Sequence, residues 1–147
     1  MSLVEQILAD QKEAMKNREQ IRLSVLRMLS TSVKNKAIAK RDDLTDEEVQ
    51  AVIRTEVKRR QEAATAWRQA KQEDKAVAEE KEAEILQAYL PAQLSDDELK
   101  SLIEQIIQEN NLKGAAQFGQ AMGKVMSVVA GRADGKRVQT FLRAALQ

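Results

Sequence analysis

The chain has 147 residues, 24 of them basic and 23 acidic, with no cysteine, no histidine and a single proline at position 91. This composition excludes disulfides and thiolate chemistry, and it removes the commonest general base. No run of about 18 apolar residues exists, so no membrane span is expected. The N-terminus, MSLVEQILADQKEAM, lacks the charged-then-apolar order of a secretion signal, and a cytoplasmic location is expected.

Only four residues are aromatic, while 43% are hydrophobic and mostly aliphatic. That is the profile of an all-α protein with aliphatic stripes and solvated charged faces. The net charge of +1 hides an uneven distribution. Residues 1–90 balance, 91–110 are acidic, and from Asn111 onward six basic residues face Asp134 alone.

Leu3, Val4, Ile7, Leu8 and Met15 mark a first helix over roughly 2–16, with Asn17 as its break. Ile21, Val25, Leu26, Leu29, Val33 and Ile38 mark a second over roughly 18–39. Arg22, Arg27, Lys34, Lys36, Lys40 and Arg41 make the exposed side of this helix basic. That side is either a solvated face paired with nearby acids or a contact surface for a polyanion.

Thr45-Asp46-Glu47-Glu48 is a capping box opening a third helix over about 45–72, with Val49, Val52, Ile53 and Val57 as its stripe. It carries the cluster Lys58-Arg59-Arg60, and alanines thin out its later part around Trp67. The tryptophan is either a core or hinge residue or a platform for a base. A fourth helix over about 73–90 ends at Pro91. Its Glu79, Glu80, Glu82 and Glu84 face the basic cluster in an ion-pair network, or would have to be a metal site. They lack the histidines or Asp-rich loop such a site wants, so no metal is expected.

Pro91-Ala92-Gln93-Leu94 is a short linker. Ser95-Asp96-Asp97-Glu98 reads as a second capping box, and Leu99, Leu102, Ile103, Ile106 and Ile107 give a fifth helix ending near Asn110-Asn111. Phe118, Met122, Val125, Met126 and Val129 predict a sixth over 118–130. Gly131 lies where a left-handed cap is wanted and Asp134 where an N-cap is. Val138, Phe141, Leu142 and Leu146 form the stripe of a seventh helix. The predicted architecture is a four-helix subdomain over 1–91 joined to a three-helix bundle over 92–147.

All five glycines lie between positions 114 and 135. Gly119 and Gly123 share one side of the sixth helix, where each costs roughly 1 kcal/mol relative to alanine. They suit a close approach of backbone, either by another helix of the chain or by a ligand. No phosphate-binding loop, dinucleotide fingerprint or Ser–Lys pair stands out, so no catalytic residue and no cofactor are expected.

Six blocks occur in order: Leu26-Arg27-Met28-Leu29, Leu44-Thr45-Asp46-Glu47-Glu48, Val57-Lys58-Arg59-Arg60, Glu84-Ile85-Leu86 with Tyr89-Leu90-Pro91, Met122-Gly123-Lys124-Val125-Met126, and Gly131-Arg132-Ala133-Asp134-Gly135-Lys136. Together they resemble the YqeY-like proteins of the GatB/YqeY domain family over nearly the whole chain. That family often carries an acid just before the Met-Gly-Lys run, where this chain has Ala121. A similar domain forms the tail of the B subunit of the tRNA-dependent amidotransferase, where it is implicated in tRNA recognition. The resemblance implies tRNA or another structured RNA as partner. Its alternatives are a protein-interaction adaptor of the translation machinery and an accessory to glutamine-dependent amidotransfer, a carbon–nitrogen ligase activity. The residues expected to meet the phosphates are Lys124, Arg132, Lys136, Arg137 and Arg143.

Overall fold

The computed structural model describes residues 1–147 as seven α-helices and one 3-10 turn, with no strand. The chain divides into two compact units, Met1–Leu90 and Pro91–Gln147.

The first unit holds α1 (Leu3–Lys16), α2 (Gln20–Lys40), α3 (Asp46–Gln69) and α4 (Glu73–Gln87). Two reciprocal caps start its helices. Thr45 Oγ1 accepts from the Glu48 N–H at 3.2 Å, and the Glu48 carboxylate accepts from the Thr45 N–H at 3.0 Å. Ser2 and Glu5 make the same pair of bonds at the head of α1, a box the apolar stripe alone does not reveal. The Asp46 carboxylate also accepts the Leu3 N–H, tying the head of α1 to that of α3.

The core of this unit forms where the stripes of the four helices meet, around Ile7, Leu26, Leu29, Val49, Ile53 and Leu86. Four residues assigned to those stripes lie outside it. Leu8 is 46% exposed and Met15 56% on α1, and Ile21 59% and Ile38 64% on α2. The reason is geometric. Leu3, Ile7 and Ala14 already form the buried line of α1. Ile38 follows Val33 by five residues, which carries it about 140° round the helix.

Arg60 departs from expectation in the other direction, since it is buried. It continues the line Ile53, Val57, Arg60, Ala64, all on the inward side of α3. Its guanidinium meets Glu56 at 3.0 Å and Glu82 of α4 at 3.2 Å, and it donates to the Met28 sulfur at 3.7 Å. The expected network between α3 and α4 is therefore carried by Arg60–Glu82 and by Arg68, which bonds to Glu73 and Glu80. Lys58 takes no part, and Arg59 pairs with Glu56 of its own helix. Small buried residues, Ala64 on one helix and Ala76 and Ala83 on the other, let α3 and α4 lie close along the hairpin.

Pro91 lies four residues past the end of α4, one residue beyond a tightened last turn. The helix ends at Gln87, and Tyr89 and Leu90 follow in a tight turn. Tyr89 leaves the helix to donate its hydroxyl to Asp10 of α1 at 2.5 Å. Burial, and then the Asp10 carboxylate, push the phenol well above its ordinary range.

The second unit holds α5 (Asp96–Glu109), the 3-10 turn Ala115–Gln117, α6 (Phe118–Val129) and α7 (Gly135–Ala145). The expected box at Ser95 is half made. Its hydroxyl accepts from the Glu98 N–H at 3.2 Å, but Glu98 stays in solvent and returns no bond. Leu99 and Ile103 of α5, Val125 and Val129 of α6, and Val138 and Leu142 of α7 make the core, each at most 1% exposed. Ala121 is fully buried among them, so the position before the Met-Gly-Lys run belongs to the packing of this bundle.

Candidate nucleic-acid interface

The turn between α6 and α7 is built from backbone conformations and cations. Ala130 and Gly131 both take positive φ, 49° and 82°. The left-handed stretch thus begins one residue before the expected glycine. Asp134 caps α7 by accepting the Lys136 N–H at 3.0 Å. Residues 93–94 are strapped across the turn: the Leu94 N–H donates to Arg132 O at 2.8 Å, and the Gln93 side chain donates to Gly131 O at 3.3 Å.

Two of the five expected phosphate-contacting residues are absorbed by this turn. Arg132 folds back on α6, donating from Nε to Val129 O at 3.2 Å and from Nη2 to Val128 O at 3.5 Å. A cation there satisfies carbonyls that a helix end leaves open, and it lies at the negative end of the helix dipole. Arg137 donates to Leu94 O at 3.0 Å and to the Asp96 carboxylate at 2.7 Å, clamping α7 to the start of α5.

The other three remain available. Lys124, Lys136 and Arg143 are exposed, and none has a carboxylate partner. Lys136 and Arg143 stand two turns apart on the solvent side of α7, opposite the buried Val138 and Leu142. The Arg143 guanidinium lies over the Phe118 ring, 5.4 Å from its centre. That stack holds an exposed cation in place without neutralising it. Lys136 sits in the first turn of α7, where folding alone favours acids. By contrast, α1, α3, α4 and α5 all open with acidic residues. Lysine charge and helix dipole add here, opposed by the single carboxylate of the Asp134 cap.

Gly119 and Gly123 lie on an exposed edge of α6. A Cβ placed on either would meet nothing within 4 Å. No other helix of the second unit uses the space they leave.

The basic side of α2 is partly spent on structure. Arg22 pairs with Glu19 at 3.1 Å and Asp10 at 3.8 Å, and Lys40 with Glu48 at 2.6 Å. Arg27, Lys34 and Lys36 have no carboxylate partner. Trp67 is half-buried near the end of α3, and the Lys75 ammonium lies 4.5 Å from its ring centre. Nowhere do three or more Asp or Glu side chains gather in a way that could hold a metal ion, and no helix is long and apolar enough to cross a membrane.

A 56-residue stretch is 45% identical to the E subunit of the glutamyl-tRNA(Gln) amidotransferase of Sulfolobus acidocaldarius, covering 35% of this chain and 9% of that protein. The corresponding E subunit of a Methanococcus maripaludis strain is 40% identical over 68 residues, covering 44% and 11%. The chain thus spans about a tenth of the length of these relatives. A third relative, the altered inheritance of mitochondria protein 41 of Pyrenophora tritici-repentis, is 27% identical over 128 residues, covering 85% of this chain and 70% of that one. The family model described as Yqey-like protein matches residues 4–146, and with that span the chain belongs to the YqeY-like family.

Proposed function

We propose that this protein is a non-catalytic module that binds tRNA, or an RNA of similar fold, through its 92–147 portion. The observation that carries the reading is the exposed set Lys124, Lys136 and Arg143, left without carboxylate partners while Arg132 and Arg137 are consumed by the turn. Cations arranged in this way suit phosphates, which position a nucleic acid without reading its bases. The cytoplasm, where tRNA is handled, is the compartment this reading implies. Similarity to part of a glutamyl-tRNA(Gln) amidotransferase supports a second role, as an accessory that presents tRNA to an amidating enzyme.

Gel shift with total tRNA at two salt concentrations tests the proposal. The wild type binds more tightly at the lower salt. Lys124→Ala, Lys136→Ala and Arg143→Ala together weaken binding and cut the salt slope by about two to three, one unit or slightly less per lost phosphate contact. Arg137→Ala instead lowers the stability of the α5–α7 bundle through its lost bonds to Leu94 and Asp96, by about 1–3 kcal/mol. Absence of any shift at low salt overturns the reading, as does a triple variant with an unchanged slope.

A further inference from the structure

Leu26-Arg27-Met28-Leu29 sets two core leucines around an outward pair of residues. Met28 is 53% exposed, so an oxidant in solution reaches this side chain. Its thioether also serves the interior. The sulfur accepts from Nη2 of Arg60 on α3 at 3.7 Å.

Arg60 is short of good acceptors. Its side chain is only 8% exposed. Nη1 donates to Glu56 at 3.0 Å, while Nε lies 3.2 Å from Glu82 with no aligned hydrogen bond. The only hydrogen bond from Nη2 goes to the Met28 sulfur, and a thioether is a weak acceptor. A buried donor with a poor partner leaves free energy to be gained. Glu56 on its own helix and Glu82 on α4 already pin the guanidinium, so it need not move to take a better acceptor at the same place.

The other methionines lack this pairing. Met15 accepts from Nη2 of Arg27 at 4.0 Å, but Arg27 is exposed and water already serves it. These two are the only hydrogen bonds to sulfur in the chain. Met1 is exposed and stands alone, and Met122 and Met126 pack half-buried against the second core. Adding oxygen to a methionine in such apolar surroundings disrupts packing. At Met28 the new oxygen arises beside an under-served cation.

We propose that Met28 is a site of reversible oxidation by hydroperoxides, at which Arg60 holds the sulfoxide oxygen and ties α2 more tightly to α3. The sulfur lone pair attacks one peroxide oxygen and the S–O bond forms as the O–O bond breaks. Sulfur gives up two electrons. The second oxygen leaves as hydroxide and takes the proton of the first, becoming water when the oxidant is hydrogen peroxide. Methionine sulfoxide reductases reverse the step. The sulfoxide oxygen is a strong acceptor, and its bond from a buried guanidinium is charge-assisted. The first unit thus gains cohesion under an oxidant, independently of any RNA on the second.

The test treats the full chain with dilute hydrogen peroxide and locates oxidised methionines by peptide mass spectrometry. Met28 is expected to oxidise ahead of Met122 and Met126. Native-state hydrogen exchange then compares the oxidised and reduced protein. Slowly exchanging amides of α2 and α3 are expected to gain about threefold to tenfold in protection, about what one net hydrogen bond contributes. Met28→Leu keeps the side-chain volume and removes the sulfur, so the same treatment gives it no such gain. The Nη resonances of Arg60 report the contact directly. They shift on oxidation of the wild type, stay in place in Met28→Leu, and return after treatment with a methionine sulfoxide reductase. Oxidation of Met28 only after Met122 and Met126 overturns the proposal. So does lost or unchanged protection in α2 and α3, an equal gain in Met28→Leu, or an Arg60 resonance that does not move.

Discussion

Arg60 shows how the same residue type serves two purposes in this chain. Lys58 and Arg59 beside it are exposed, but Arg60 completes the buried line of α3 and is held by Glu56 and Glu82. Its Nε–H lies 3.2 Å from the Glu82 carboxylate without an aligned hydrogen bond, so that contact acts through charge. Removing the guanidinium opens a cavity, leaves Glu56 with Arg59 alone and leaves Glu82 with no cation. Arg60→Ala is therefore expected to cost about 2–4 kcal/mol, from lost stem packing and an uncompensated acid together. Arg59→Lys is expected to fall within the surface range of about 0.5 kcal/mol. Urea unfolding of the two variants separates the roles, and an Arg60→Ala midpoint equal to that of the wild type would show the pair to be idle. The spacing Ile53, Val57, Arg60, Ala64 carries this signal in the sequence, but the Lys-Arg-Arg run conceals it by reading as a charged cluster.

Helix starts and interiors are the most legible level. Apolar periodicity predicts all seven helices, with ends within about three residues, because one buried line on each helix dominates its pattern. The differences arise where side chains leave that line: Tyr89 turning to Asp10, and Ile38 rotating out of the core. Thr45 is the cap its sequence predicts, and the reciprocal Glu48 adds a pH dependence. The Lys40 ammonium, and then the Thr45 N–H, hold the Glu48 carboxyl well below its ordinary 4.5, at about 2. A depressed folded pKa means stability that is present above 4.5 and lost as the pH falls through about 2. The advantage of the wild type over Glu48→Gln should thus be largest at neutral pH and shrink across that acid window; a gap independent of pH would contradict it. The glycines of α6 make a separate prediction. With open space at both positions, Gly119→Ala and Gly123→Ala should each raise stability by roughly 0.5–1 kcal/mol. If an RNA backbone approaches that edge, the same variants bind tRNA less well while melting higher. A gain in both stability and affinity would remove any ligand from the glycine edge.

At the scale of the whole molecule the candidate site is legible as a charge imbalance, six basic residues against one acid after Asn111, but not in its membership. Counting charge cannot separate Lys136, which faces solvent, from Arg132 and Arg137, whose donors are taken by backbone carbonyls and Asp96. For Arg137 the path of residues 93–94 across the turn decides that, and for Arg132 its fold back onto α6; nothing in local periodicity reports either. The division into Met1–Leu90 and Pro91–Gln147 has an energetic counterpart, because each unit closes its own core from its own residues. Damage to one core should then be read mainly in the amides of that unit. Leu142 is fully buried between the α5, α6 and α7 stripes, and truncating it removes packing that the bundle cannot recover by collapse. Leu142→Ala is expected to lower the opening free energy of slowly exchanging amides in 96–145 by about 2–4 kcal/mol. Amides of 3–87 should keep their protection. Native-state hydrogen exchange measures both sets in one sample. Equal losses in the two would mean that the chain opens as a single cooperative body. A loss confined to the second set would allow the α6–α7 hairpin to loosen and tighten while the core of the first unit stays intact.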